Sequence, residues 1–184
     1  EGRRVRVPGV GEVEFDIGYG GAFYAYVDSR PLGLALDGDD YCRLIDCGRK
    51  IKRAVMENFS IEHPFQQDLG FLYGTIFVGD AREPSNHSRN VCIFAEGEVD
   101  RSATGSGVSG RAAIHHAKGE LAKGETIAVE SILGTVMEVA IVEETTYGPY
   151  PAVVPEVSGT AFFTGRNEFW FDPDDPLREG FIFR

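Results

Sequence analysis

The sequence predicts an α+β fold, a mostly antiparallel, barrel-like sheet wrapped around one central helix. Three observations carry that expectation. Segments rich in Val, Ile, Thr and Phe, punctuated by Gly or Pro, run through 126–132, 134–143, 152–157 and 159–164 and read as strands. Ahead of them, the glycine-containing stretch Asp100–Gly107 leads into a run in which Ala112, Ala113 and Ala117 favour helix and Gly119 and Gly124 are suited to closing it. At the start of the chain, apolar and charged residues alternate with the period of two of a half-buried strand. Strands curled around that helix would bury its alanine face.

In order along the chain, Val5 and Val7 alternate with Arg4 and Arg6, and Val13, Phe15 and Ile17 with Glu12, Glu14 and Asp16. The Pro8-Gly9 turn between them makes a hairpin. Gly18-Tyr19-Gly20-Gly21 then leads into Ala22–Val27, where the glycines mark a bulge or a close backbone approach in preference to a nucleotide site. Asp39 or Asp40 is placed to cap a helix from Tyr41 to Asn58, because Leu44, Ile45, Gly48, Ile51, Val55 and Phe59 recur at roughly helical spacing. Its Arg49, Lys50, Lys52 and Arg53 read as a solvated face. His63, before Pro64, falls in an extended or turning segment and reads as a surface residue. Leu69–Val78 and Asn90–Phe94 read as strands separated by a polar loop from Gly79 to Arg89. The second strand delivers Phe94 and then Asp100 to the mouth of the central helix.

The 184 residues, 42% of them hydrophobic, suffice to bury a sizeable core. A formal charge of −11 argues against nucleic-acid and anionic-membrane partners. No apolar run approaches the ~20 residues of a spanning helix, and Glu1-Gly2-Arg3-Arg4 is followed by no signal-peptide core, so a cytoplasmic protein is expected. Cys42, Cys47 and Cys92 are too few and too irregular for a disulfide framework, and none has metal-ligand spacing. Cys92, inside an apolar run, reads as a buried small hydrophobe. Asp172-Pro173-Asp174-Asp175-Pro176 clusters carboxylates but lacks calcium-loop spacing, so a terminal turn is expected there and no metal.

The chemistry concentrates on Asp100–Gly107. Unpaired N–H groups at a helix start, reinforced by the helix dipole, favour an anion, and Gly105 and Gly107 would let it approach without a Cβ in the way. The phosphate-loop and dinucleotide spacings are both incomplete, which favours a small carboxylate. Asp100, four residues before Thr104, can accept hydrogen bonds from an ammonium or ring nitrogen on the same ligand. Together these describe an amino acid. The competing reading has Asp100 or Ser102 capping the helix and the glycines turning the chain. His115 and His116 lie about three turns from Thr104, ~17 Å from the anion site, and are set aside.

Asn90-Val91-Cys92-Ile93-Phe94 followed by Asp100-Arg101-Ser102-Ala103-Thr104-Gly105-Ser106-Gly107 resembles the second active-site motif of the proline racemase family, which also holds hydroxyproline epimerases and trans-3-hydroxy-L-proline dehydratases. Asp16–Ala25, Leu72–Phe77 and the ending Asp172–Pro176 match in order. The resemblance implies a diaminopimelate epimerase-like lobe. It also implies that residues 1–165 form the second, C-terminal lobe of a two-lobed enzyme, and that 166–184 hold C-terminal strands near the lobe boundary that complete the first lobe. The family's first cysteine lies in a Met-Cys-Gly-His motif ahead of the Gly-Tyr-Gly-Gly segment, and no such motif precedes Tyr19. The chain is therefore expected to be the later half of a longer enzyme and inactive alone, with Phe169-Trp170-Phe171 and Phe181-Ile182-Phe183 partly exposed and favouring self-association, as in a homodimer.

In the racemases and epimerases of the family, the position held here by Thr104 is a cysteine. An alcohol is a far poorer base than a thiol, so two-way inversion should fail. Removal of the α-proton by the other cysteine would still allow a β-hydroxyl to leave as water. The resemblance thus implies dehydration of trans-3-hydroxy-L-proline to an unsaturated proline that tautomerises to 1-pyrroline-2-carboxylate, without cofactor. It places Asp100 on the substrate nitrogen, the Gly105 and Ser106 amides on its carboxylate, Thr104 facing the substrate and Phe94 against the ring, although Phe94 equally suits core packing. A hydroxyproline epimerase or proline racemase, or a non-catalytic amino-acid-binding scaffold, are the alternatives.

Overall fold

A computed structural model describes residues 2–181. The opening hairpin forms as its alternation dictates: β1 (Arg3–Val7) and β2 (Gly11–Tyr19) pair antiparallel with Val5 opposite Val13. Val5, Val7, Val13 and Phe15 are buried, while Arg4 and Glu14 pair on the exposed face. β3 (Phe23–Asp28) returns antiparallel to β2.

Helix α1 (Tyr41–Asn58) has the bounds expected from its spacing and buries Leu44, Cys47, Gly48, Ile51, Ala54 and Val55 along one stripe. Its start differs from the expected capping. Neither Asp39 nor Asp40 caps the helix with its side chain; the Asp40 carboxylate accepts from the Ala35 amide at 2.7 Å and from Arg43. Gln67–Leu69 forms a 3-10 turn, so β4 (Leu72–Gly79) starts later than the apolar run suggested. Because α1 crosses between them, β4 lies parallel to β3.

β5 (Ser88–Phe94) runs antiparallel to β4, and the short β6 (Glu98–Val99) folds back on the end of β5. Helix α2 (Gly105–Ala117) then crosses to β7 (Thr126–Glu130), which is parallel to β5 through only Ser88↔Val129 and Arg89↔Glu130. An ion pair reinforces this short ladder: Arg89 and Glu130, its register partners, are joined with both side chains almost fully buried. Burial opposes ionisation of Glu130, but donation from Asn86, the Arg82 and Glu83 amides and Arg89 outweighs it and holds the carboxyl at about 2. A long hairpin, β8 (Val136–Tyr147) and β9 (Tyr150–Ser158), finishes the sheet.

The strand order is β1-β2-β3-β4-β5-β7-β8-β9, with β6 on β5. Six of the eight pairings are antiparallel and two are parallel. The α+β expectation stands, but the sheet is mixed and carries two helices, because each parallel step needs a helical crossover. Helix α2 touches β2 and β3 near one end of the sheet and β8 and β9 at the other, so the sheet curls around it; α1 packs on β1, β4 and β5. Among the described residues no ladder joins β9 to β1, and the curl is left open.

Two further expectations are corrected. His63 is buried, only 9% exposed. The amides of Phe65 and Gln66 both donate to its Nδ1, which leaves the proton on Nε2, facing the hydroxyls of Tyr19 (3.2 Å) and Tyr147 (3.1 Å). A tertiary contact with the tip of β8 covers what the local sequence marks as surface. The expected strand at 159–164 does not form: β9 ends at Ser158, the described residues beyond it contain no strand, and Phe162, Phe163, Phe169, Trp170, Phe171 and Phe181 are exposed. Of the aromatic ending, Ile182 and Phe183 lie outside the described residues. Asp172–Pro176 forms the expected turn, with the Asp175 amide donating to the Asp172 carbonyl. No helix among the described residues is long and apolar enough to cross a membrane, and no group of three or more His, Cys, Asp or Glu is placed to hold a metal ion.

Candidate active site at the start of helix α2

β5 ends with Phe94, and the Asp100 amide donates back to the Cys92 carbonyl, so the loop to α2 leaves the sheet already tethered. Within it, Asp100 Oδ1 accepts from the Ser102 amide at 2.8 Å and from Ser102 Oγ at 2.9 Å. Asp100 Oδ2 accepts from Thr104 Oγ1 at 3.0 Å, and Ser102 Oγ accepts in turn from the Thr104 amide. Aspartate, serine and threonine at spacings of two are what this closed network requires, since the Asp100 and Ser102 side chains each reach the amide two residues on and the Thr104 hydroxyl returns to Asp100.

Capping of the helix by the Asp100 or Ser102 side chain does not occur. The N-cap of α2 is Thr104, and no side chain caps the helix. Among the described residues, nothing accepts from the amides of Gly105, Ser106 or Gly107; the first intrahelical bond is from the Val108 amide to the Thr104 carbonyl, at 2.7 Å. The helix therefore presents three unsatisfied donors and its positive dipole end to the space beside Asp100. The two glycines differ. A Cβ on Gly105 would meet open space, as an anion approach requires, whereas one on Gly107 would fall 2.5 Å from Ile76 Cδ1, so Gly107 serves packing.

Thr104 has φ +69°, in the left-handed region that a β-branched residue rarely adopts, at a cost of about 1–3 kcal/mol that surrounding bonds must hold in place. Besides Asp100 and Ser102, a buried pair does so from behind. Asn90 Nδ2 donates to the Ala103 carbonyl at 3.2 Å, and its Oδ1 accepts from Arg111 Nη1 at 2.8 Å; a guanidinium only donates, so it fixes which way the amide points. Burial pushes Arg111 down to about 10, which leaves it charged at neutral pH, a buried cation behind the start of α2.

Other side chains on this face were not singled out as site residues from the sequence. Tyr24 OH lies 2.9 Å from Ser106 Oγ, and Tyr26 OH donates to the Gly107 carbonyl at 2.8 Å. Phe94, half-buried, stacks on Tyr73 with centroids 5.6 Å apart, and Tyr73 meets Tyr24 edge-on. The ring stack puts Phe94 in packing contact with the tyrosine cluster. The close approach expected of the early glycines is real: a Cβ on Gly20 would fall 2.2 Å from the Ser106 carbonyl oxygen and 2.5 Å from the Gly110 nitrogen. The residue types around 18–26 and 72–77 carried the signal, but their meeting with α2 is visible only in three dimensions.

No thiol here is suited to act as a base. Cys92, beneath Thr104, is pushed up to about 12 by burial, and Cys47 to about 11 for the same reason. His115 points to Glu120 and packs against His87, away from this network. A cleft of about 760 Å³ between β2, α2 and the β8–β9 hairpin is lined by none of Asp100, Thr104, Gly105, Ser106 or Phe94.

The curled mixed sheet thus carries a glycine-led helix start with free amides beside an aspartate and a hydroxyl. The chain belongs to the proline racemase family, whose model matches residues 1–182. It is 50% identical over 182 residues to a trans-3-hydroxy-L-proline dehydratase from Colwellia psychrerythraea, covering 99% of this chain and 51% of that protein. It is 40% identical to a proline racemase from Clostridioides difficile, covering all of this chain and 55% of that protein. Among solved structures, a hydroxyproline epimerase from Agrobacterium vitis with bound trans-4-hydroxy-L-proline superposes with a TM-score of 0.87 at 30% identity, covering 99% of this chain and 52% of that one. The chain thus spans about half the length of the relatives it matches.

Proposed function

We propose that this chain is the C-terminal half of a trans-3-hydroxy-L-proline dehydratase, that it holds the substrate, and that the N-terminal half supplies the base. The observation that carries the reading is an alcohol, Thr104 Oγ1, 3.0 Å from Asp100 at the mouth of an uncapped helix. Asp100 takes the ring ammonium, the Gly105 and Ser106 amides take the carboxylate, and Phe94 covers the ring. A thiolate from the other lobe removes the α-proton; the electron pair released at Cα forms the new double bond as the C3–O bond breaks, and the hydroxyl leaves as water on taking up a proton. Thr104 hydrogen-bonds the departing oxygen. The enamine so formed tautomerises to 1-pyrroline-2-carboxylate. Thr104 cannot act as a second base, because an alcohol ionises far above neutral pH, so inversion is closed off. The 50% identity to a protein named for this reaction supports the same reading.

The rest of the proposal follows from it. Residues 1–165 form the second lobe, and 166–184, with their exposed aromatics, belong at the boundary with the first lobe or at a homodimer contact. The reaction uses no cofactor, and the protein works in the cytoplasm. The full-length polypeptide given trans-3-hydroxy-L-proline should form the cyclic imine, trapped as an adduct with an aromatic amino-aldehyde, and should leave L-proline uninverted on chiral chromatography. Thr104→Cys should bring back part of the inversion, and added chelator should leave the rate unchanged. Efficient racemisation of proline by the unaltered protein would sink the reading in favour of an epimerase or racemase, and binding without turnover would point to a scaffold.

A further inference from the structure

We infer that Tyr24 is a positioning residue that turns the Ser106 hydroxyl into an additional donor to the substrate carboxylate. The inference rests on the functional reading above and deepens it, because that reading uses only the Ser106 backbone. Tyr24 sits on β3, 2% exposed, with its hydroxyl 2.9 Å from Ser106 Oγ, 82 residues away in the chain. A serine hydroxyl has one proton and two acceptor sites. If Ser106, the second residue of α2, gave its proton to Tyr24, its oxygen would offer an anion at the helix start only lone pairs, and would repel it. With Tyr24 donating, the Ser106 proton is free to point at the anion, and donation into the hydroxyl polarises it, which strengthens the outgoing bond.

The surroundings favour Tyr24 as the donor. Burial pushes its phenol up to about 12, so it remains protonated across the neutral range. Tyr73 and Tyr26 pack edge-on to its ring and hold the hydroxyl in one direction, and Tyr26 itself donates to the Gly107 carbonyl at 2.8 Å. Gly20 lies so close to the Ser106 carbonyl that the turn cannot slide along β3. Ser106 is therefore gripped by its backbone while its side chain is aimed by Tyr24.

The test is Tyr24→Phe, Ser106→Ala and the double variant in the full-length polypeptide, with KM and kcat for trans-3-hydroxy-L-proline and the thermal midpoint of each. Tyr24→Phe should raise KM about 5- to 10-fold, the range of one neutral hydrogen bond, and leave kcat within about twofold. Ser106→Ala should do the same, and the double variant should be no worse than either single one; Ser106→Thr should restore the KM lost in Ser106→Ala. A KM in Tyr24→Phe equal to that of the unaltered protein, or additive losses in the double variant, would overturn the inference. So would a fall in kcat and thermal midpoint with KM unchanged, the mark of a purely structural tyrosine. If Tyr24→Phe does not fold, Ser106→Ala decides: an unchanged KM there rules out the side-chain donor. Failure of the unaltered protein to process the substrate overturns the functional reading first, and the inference with it.

Discussion

The two faces of one sheet have been put to different uses. Along β3, Ala25 and Val27 point to the α1 face while Tyr24 and Tyr26 point to the α2 face; along β5, Val91 and Ile93 go one way and Cys92 the other. The α1 face is a continuous apolar cluster with α1 laid on it, whereas the α2 face adds tyrosines, glycines and short hydroxyl side chains around a helix start to a smaller apolar cluster of Val108, Ala112, Val129, Val139 and Ile141. One face is given over to buried apolar area while the other divides its contacts between apolar burial and aiming polar groups, and the period-two alternation of a strand lets both be written into the same segment.

That division can be broken by substitutions on either side, although the largest effect is expected at the buried ion pair that joins β5 to β7. Glu130→Gln leaves Arg89 as a buried charge without its partner and should cost about 3–5 kcal/mol in urea unfolding. The same pair predicts a pH dependence. The folded Glu130 carboxyl is held at about 2, below its unfolded value of 4.5, so its contribution is fully present above about pH 4.5 and is lost as the pH falls toward 2. Acid unfolding of Glu130→Gln should lack that component.

Next in size, Ile51→Ala on the α1 face should lower stability by about 2–5 kcal/mol. Its affinity for a prolyl carboxylate, measured per folded molecule, should not change; a shift in affinity would show that the faces are coupled and the comparison fails. On the α2 face, Asp100→Ala removes the acceptor proposed for the ring ammonium and should weaken substrate binding roughly 10- to 100-fold, the equivalent of about 1.5–3 kcal/mol for a hydrogen bond to a charged group. The smallest effect is expected for Ser102→Ala, which leaves the Thr104 amide without its acceptor and should destabilise by about 0.5–1.5 kcal/mol. Hydrogen exchange at Thr104 and Gly105 should quicken while that of α1 does not, which sharpens the contrast.

Much of the fold was legible from the chain alone. The period of Leu44, Ile51 and Val55 located α1 to its observed ends, and the alternation around Val5 and Val13 gave the opening hairpin. These signals are local, since a helix or strand must repeat its apolar residues along itself. The strand expected at 159–164 failed for the same reason. Phe162 and Phe163 have strand-like composition, but a strand needs a neighbour, and none pairs with them among the described residues. His63 was misread as surface because its burial depends on Tyr147, 84 residues away.

At the site, the residue types at 100–107 already specified an acid, an alcohol and a helix start, and the threonine at 104 set the chemistry open to them. The tertiary structure decided which of those groups are free. It showed Asp100 engaged by Ser102 and Thr104 while the helix amides stay uncapped, Gly107 packing on Ile76 while Gly105 stays open, and Tyr24 reaching Ser106 from β3. Residue chemistry is carried by the sequence one position at a time. Which donor is left unsatisfied depends on strands brought together from distant parts of the chain, and that is settled only when the sheet curls around α2.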